Sequence, residues 1–256
     1  MKYTKSSKYT DYKNIYEQCS GPGGLKLAEF MAEKMKLSKG KKLIDIGFNR
    51  GYQTSFLAKE YDVDIVGIDP WEDRETEIPH IELLMQNAKD FNVTNKVLGI
   101  KTGVPDTLLP NNYFDYAYCT TTLEMIRGGS GMEAHLNALK EIHRILKNEG
   151  ILGLGEPMHY DTQIPDDLSN YIKNIEFDKY FTTLEETKMA VSDTGFSIIE
   201  SDYCEDASLW WNEYAENDPF CNKEPESDEV KLIKADNNRW LSFGYVIARK
   251  VYGKAD

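Results

Sequence analysis

Short apolar runs alternate along this chain with longer amphipathic stretches, and the alternation predicts strands buried in a sheet with helices packed against them. Leu43, Ile44 and Ile46 form a first run of the kind a strand buried on both faces needs. The helical stretch Gln53 to Tyr61 separates it from a second run, Asp64-Ile65-Val66-Gly67-Ile68-Asp69, which closes a βαβ unit with an acid at its carboxyl end. The pattern then predicts an amphipathic helix from Ile81 to Phe91, a third strand over Val97-Leu98-Gly99-Ile100 and a fourth over residues 113–118. A helix from about Met132 to Leu146, a fifth strand over 151–156, a helix from Leu184 to Thr194, a sixth strand over 195–200 and a last strand from Trp240 to Ala248 follow. Ahead of the first strand, Leu27, Phe30, Met31 and Met35 recur at helical spacing after the turn Ser20-Gly21-Pro22-Gly23-Gly24, and Tyr9, Tyr12 and Tyr16 are spaced to share one helix face.

The connection between the sixth and last strands is long, and it carries Leu209-Trp210-Trp211-Asn212-Glu213-Tyr214 followed by an acidic loop through Glu229. Connections of that length inside a compact domain are functional or disordered, and the aromatic cluster favours function. The run Glu72 to Glu77 is expected to be a solvated charged loop. No Pro/Gly/Ser-rich linker divides the chain. Residues 1–256 are therefore expected to form one domain: an N-terminal lid and helix (1–36), a core (40–203), an insertion (204–238) and a final strand (239–250).

In a parallel sheet ligands bind at the carboxyl edge, where Gly47 and Gly51 let the backbone pass close to one. A dinucleotide loop needs G-x-G-x-x-G, and counting from Gly47 the second and third glycines are replaced by Asn49 and Tyr52. This disfavours an NAD-type oxidoreductase. Asp45-Ile46-Gly47-x-x-x-Gly51 instead resembles motif I of the class I S-adenosylmethionine-dependent methyltransferases. The block Leu139 to Gly150, with the strand ending at Glu156, is the longest similar stretch, and Gly21-Pro22-Gly23-Gly24-Leu25 ahead of a helix resembles the family's small-molecule branch.

The resemblance implies a Rossmann-like α/β fold of seven mostly parallel strands with helices on both faces, and S-adenosyl-L-methionine as cofactor. It implies that Asp45, Gly47, Phe48, Asn49 and Gly51 form the cofactor loop, with the two glycines lining the methionine half, and that Asp69 accepts both ribose hydroxyls. Asn49 stands where the family has a middle glycine, and Asn tolerates a left-handed backbone. Pro70 and Trp71 follow the ribose acid, and the indole is placed to pack on adenine or in the core. Val104 occupies the position of the family's adenine-binding acid, which leaves Asp106 or, preferably, backbone groups to hold the base. Thr120 belongs to the segment near the methyl group.

Composition narrows the partners. A formal net charge of -13 argues against a phosphate-tracking nucleic-acid surface, while it suits a cofactor that has no phosphate and carries a sulfonium and an ammonium. Cys19, Cys119, Cys204 and Cys221 show no metal or redox spacing and are expected to be reduced thiols in a cytoplasmic protein; no metal site is predicted. The start of the chain has no apolar leader and no stretch is long enough to span a bilayer, so no membrane partner is expected. The oligomeric state stays open.

The expected partner is a small-molecule acceptor that attacks the sulfonium methyl in line, with catalysis mostly by positioning and water exclusion. If the acceptor must lose a proton, His159 and Glu124 are the candidate acid/base residues at the ligand edge. Tyr12 and Tyr16 are candidate lid residues, and Tyr160, Trp210, Trp211 and Tyr214 candidate walls of the acceptor pocket, the alternative being that the tryptophans only anchor the insertion. Gly51→Val is expected to block the cofactor and spare the fold. A non-catalytic protein that binds S-adenosylmethionine is the remaining alternative.

Overall fold

The structure, a computed structural model, describes residues 2–19, 21–73 and 76–251. Ser20 of the predicted glycine turn and Arg74 and Glu75 of the charged run lie outside the described residues. After a 3-10 turn, Ser6–Lys8, the helices α1 (Tyr12–Gln18) and α2 (Gly24–Met35) precede β1 (Lys42–Ile46), α3 (Tyr52–Tyr61), β2 (Asp64–Ile68), α4 (His80–Asp90) and β3 (Val97–Ile100). Then come β4 (Phe114–Thr120), α5 (Leu123–Ser130), α6 (Met132–Ile145), β5 (Leu146–His159), α7 (Ser169–Ile175), α8 (Phe177–Tyr180), α9 (Leu184–Asp193) and β6 (Phe196–Tyr203). The helices α10 (Ala207–Asn217), α11 (Pro219–Lys223) and α12 (Asp228–Asp236) lead into β7 (Leu241–Lys250).

The strands form one seven-stranded sheet in the order β3-β2-β1-β4-β5-β7-β6. Pairing is parallel from β3 through β5, and β7 runs antiparallel to both its neighbours. This is the Rossmann-like arrangement of seven mostly parallel strands. The order reverses between β1 and β4, so their carboxyl ends open the crevice in which such sheets bind ligands. One core cluster packs α2, α3 and α4 on one face through Leu27, Met31, Phe56 and Leu84; a second packs α6 and α9 on the other through Leu139, Ile142 and Val191.

Several boundaries differ from expectation. β4 runs on to Thr120, so the segment after Cys119 is divided between a strand end and α5. β5 extends to His159, paired with β7 from Ile151 onward, which makes His159 a strand residue at the ligand edge. Tyr9 falls before α1, whose N-cap is Asp11 accepting from the Asn14 amide, and the Tyr9 ring stacks on Phe91; the three tyrosines therefore share no helix face. The expected acidic loop is helical in α10 to α12, because Asp218 and Ser227 cap those turns through their side chains.

Residues 161–183 carry no periodic signal in the sequence and supply α7 and α8. Leu168, Ile172 and Phe181 from that segment pack with Trp211, Leu232, Ile233 and Trp240 in a third cluster, a cap standing at the end of β5 and β7. All four cysteines are buried and unbridged. Among the described residues no helix is long and apolar enough to cross a membrane.

Candidate active site

β1 turns into α3 through three left-handed residues, Gly47 (φ 77°), Asn49 (φ 50°) and Gly51 (φ 74°). Asn49 thus adopts the conformation that its residue type tolerates best among those with a side chain. A Cβ on Gly47 would lie 2.7 Å from Cγ2 of Thr122, whose hydroxyl donates to the carbonyls of Ile46 and Thr120 and closes the switch point. A Cβ on Gly51 would lie 2.9 Å from the Leu84 Cα of α4. This corrects the expectation for Gly51: the missing side chain makes room for a helix of the fold, so Gly51→Val would not spare the fold. Gly51→Ala is expected to lower stability by about 1–3 kcal/mol through overpacking, which urea unfolding would measure. Phe48 is likewise buried in the core, beneath Gly67 of β2, and presents little surface to a cofactor.

Asp69 directly follows β2, its carboxylate held from three sides. Oδ2 accepts the Asn49 amide at 2.8 Å, and Oδ1 accepts the Trp71 amide at 2.9 Å and Nδ1 of His80 at 3.0 Å. The charged run that follows is more than a solvated loop. Asp73 is buried and receives both Nε (3.0 Å) and Nη2 (2.6 Å) of Arg50, pinning the loop to the glycine turn. Pro70 is exposed, and Trp71 is 70% exposed, so the core alternative for that indole is excluded. Val104 is half-buried against the second core cluster, and Asp106 is exposed.

Asp45 lies beneath the loop, accepting the Thr54 hydroxyl at 2.6 Å. Burial pushes its carboxyl up to about 7, with the charge of Asp69 adding to the effect. Beside it Gln53 bridges three elements: Nε2 donates to the Gly24 carbonyl at 2.7 Å, while Oε1 accepts the hydroxyls of Tyr118 (2.9 Å) and Thr120 (3.3 Å). Neither Gln53 nor His80 was singled out from sequence. Gln53 sits one residue past a helix start with no motif to mark it, and His80 is eleven positions from its partner.

The acid/base candidates separate. Glu124 is buried with Glu156 and Arg127, whose Nη1 is 3.7 Å from Glu156. Burial, and for Glu124 the neighbouring Glu156 charge, pushes both carboxyls up, so two acids share a site with one guanidinium. A carboxyl enclosed in this way favours a proton-holding role inside the fold over exchange with an acceptor. His159 stacks flat on Trp240 (4.8 Å, 6°), and its Nδ1 lies 2.9 Å from the Tyr160 carbonyl. A carbonyl only accepts, so Nδ1 carries a proton, and in the neutral form of the ring the lone pair is on Nε2.

The lid and wall candidates also separate. Tyr16 is buried and donates to Glu213 of α10 at 3.2 Å; Lys26 of α2 forms an ion pair with the same carboxylate and lies over the ring of the more exposed Tyr12. Tyr214 is half-buried, 6.5 Å from the Tyr16 ring, and donates to Glu229 at 3.2 Å. Tyr160 lies against Tyr203 and donates to Asn238 at 3.0 Å. Trp210, at 0% exposure, packs edge-on against Phe30 and Phe243 in the main core. Trp211 is buried against Phe177 and Phe181 and donates to the Ser242 carbonyl at 3.1 Å. The two tryptophans therefore anchor the insertion, since neither exposes a face from which to line a pocket.

The charge around the loop tests the cofactor expected here. Asp45 and Asp69 both flank the glycine turn, and the one arginine in it, Arg50, is committed to Asp73. Among the described residues of the turn, a pyrophosphate would meet carboxylates and no uncommitted cation. A phosphate-free cofactor bearing an ammonium and a sulfonium fits the same donor set.

Comparison with known proteins agrees. Residues 44–154 match the family model described as a methyltransferase domain. Over 66 residues the chain is 36% identical to phosphoethanolamine N-methyltransferase 1 of Arabidopsis thaliana, a stretch covering 25% of this chain and 13% of that protein. The fold is similar to the [4+2]-cyclase SpnF (18% identity, TM-score 0.70, 90% of this chain and 82% of that one). It is also similar to phosphoethanolamine N-methyltransferase 2 of Haemonchus contortus, solved with phosphomonomethylethanolamine and S-adenosylhomocysteine (17% identity, TM-score 0.69, 98% of this chain and 59% of that one). Residues 44–154, a little under half of the chain, thus match a methyltransferase domain, and they do so on the strand order and glycine turn described above.

Proposed function

We propose that the chain methylates a small organic acceptor, with an amine as the nucleophile, in a chamber between α1, the carboxyl ends of β4 and β5, and the cap. The observation that carries the reading is the latch of Tyr16 and Lys26 on Glu213, which ties the N-terminal lid to the insertion. Two matched proteins named as phosphoethanolamine N-methyltransferases support an amine, as do tyrosine rings beside Glu213 and Glu229. Lys26 and Arg127 are committed to Glu213 and Glu156, which favours an acceptor without a phosphate. On this reading the whole is one domain whose residues 1–36 serve as lid and 204–238 as half of the cap.

S-adenosylmethionine, when bound, supplies an electrophilic methyl group on its sulfonium. Asp69 would hold the ribose and Asp45 would face the ammonium, while Nε2 of His159 takes the proton that the acceptor nitrogen loses. Tyr12, Tyr16 and Tyr214 keep water out and set the angle of attack. Incubation with S-adenosylmethionine and panels of amines, alcohols and thiols should yield S-adenosylhomocysteine with amines. Turnover with the other panels alone would refute the amine. The resemblance to a cyclase gives weight to a second reading, cofactor binding without methyl transfer. Binding with no S-adenosylhomocysteine formed from any panel would favour it.

The Asp45 carboxyl adds a pH dependence. A solvated aspartate titrates near 4, so with its folded value near 7 the free protein holds an extra proton across that window. The stability that proton brings is complete below about pH 4 and is lost as pH rises through 7. An ammonium beside Asp45 favours the ionised form, so S-adenosylmethionine should bind more tightly at pH 7 than at pH 5, a window in which the ligand's own ammonium stays charged. Calorimetry should find that slope in the wild type and a flat profile in Asp45→Asn.

A further inference from the structure

An ionised carboxylate offers about four acceptor positions, and three on Asp69 are filled by the Asn49 and Trp71 amides and by His80. The remaining one is on Oδ2. The expectation that Asp69 takes both ribose hydroxyls therefore exceeds its capacity, and the orientation of its plane decides whether the last position faces the crevice. Two of the three holders are backbone amides, one in the glycine turn after β1 and one just past β2. The third is a side chain delivered from α4.

His80 arrives there by a hairpin. Glu72 and Pro79 form an antiparallel bridge, the Asp73 amide donates to the Ile78 carbonyl at 2.9 Å and the His80 amide to the Trp71 carbonyl at 3.2 Å, while Arg50 clamps Asp73. The hairpin folds the chain back so that the first residue of α4 lands beside the last residue before the loop. Both partners are buried, and because a carboxylate only accepts, Nδ1 of His80 carries the proton.

We propose that His80 is a positioning residue for the cofactor ribose: its Nδ1 proton fixes the plane of Asp69 so that Oδ2 alone is presented to one ribose hydroxyl. Carboxylate torsions are broad and two-fold, so without this bond the plane can turn and a preorganised acceptor is lost. The inference rests on S-adenosylmethionine occupying this edge of the sheet, and its test separates the two.

Binding of S-adenosylhomocysteine and of its 2′,3′-dideoxy analogue would be measured by calorimetry for the wild type, His80→Leu and His80→Asn. The wild type should prefer the natural ligand at least tenfold. In His80→Leu that preference should shrink at least threefold, and in His80→Asn, whose amide reaches as far as Nδ1, it should return to within about twofold of the wild type. A purely structural histidine would weaken both ligands equally and leave the ratio unmoved, which would overturn the proposal, as would unchanged binding of both by a folded His80→Leu. Failure of the wild type to bind S-adenosylhomocysteine would overturn the site assignment on which it rests.

Discussion

Asp69→Ala is expected to weaken S-adenosylmethionine and S-adenosylhomocysteine binding by about tenfold or more while the protein still folds. One ribose hydroxyl loses a charged acceptor, and a hydrogen bond to a charged group contributes about 1.5–3 kcal/mol, where 1.4 kcal/mol is a factor of ten. The loop adds to the loss, because the amides of Asn49 and Trp71 and the His80 imidazole lose the oxygens that order them. The comparison is made by calorimetry on variants whose thermal midpoints are measured alongside. A folded Asp69→Ala that binds both ligands with wild-type affinity would place the cofactor elsewhere.

The other large effect concerns Trp210. Its indole is wholly enclosed by Phe30 of α2, Phe243 of β7 and Tyr3, so truncation leaves a cavity between the insertion and the sheet. Trp210→Ala should cost about 3–5 kcal/mol, a large part of the roughly 5–15 kcal/mol that holds a domain folded. For a chain of this size that lowers the thermal midpoint by roughly 10 °C, while S-adenosylhomocysteine affinity per folded molecule stays within about twofold. If Trp210→Ala kept wild-type stability and lost turnover, the indole would belong to the acceptor pocket and the packing account would be wrong.

What sequence made legible was local. Leu43 to Ile46 and Asp64 to Ile68 are apolar runs whose register follows from burial on both faces, so the βαβ unit and the acid at its end could be read without knowing any distant contact. Asn49, standing where the resembled motif has a glycine, is a residue type that tolerates the left-handed backbone it adopts. The rest depended on where remote segments meet. The lack of a side chain at Gly51 has its meaning from Leu84 on α4, and the spacing that suggested a ligand could equally signal a helix. An aromatic Trp210-Trp211-Tyr214 cluster has the same composition whether it lines a pocket or packs a cap; burial decides, and it came to Trp210 from α2 and β7 and to Trp211 from the α7 and α8 segment, which no periodic pattern announced. His80 escaped notice because a hairpin, and not a helix or strand period, returns it to Asp69.

A crystal structure of the S-adenosylhomocysteine complex tests the central claim most directly. The account predicts the ligand across the carboxyl ends of β1 and β2, with a ribose hydroxyl on Oδ2 of Asp69, the amino group toward Asp45, and the sulfur facing the chamber bounded by Thr120, His159 and Tyr16. Ligand bound outside that crevice, or a crevice left empty at saturating ligand, would contradict it.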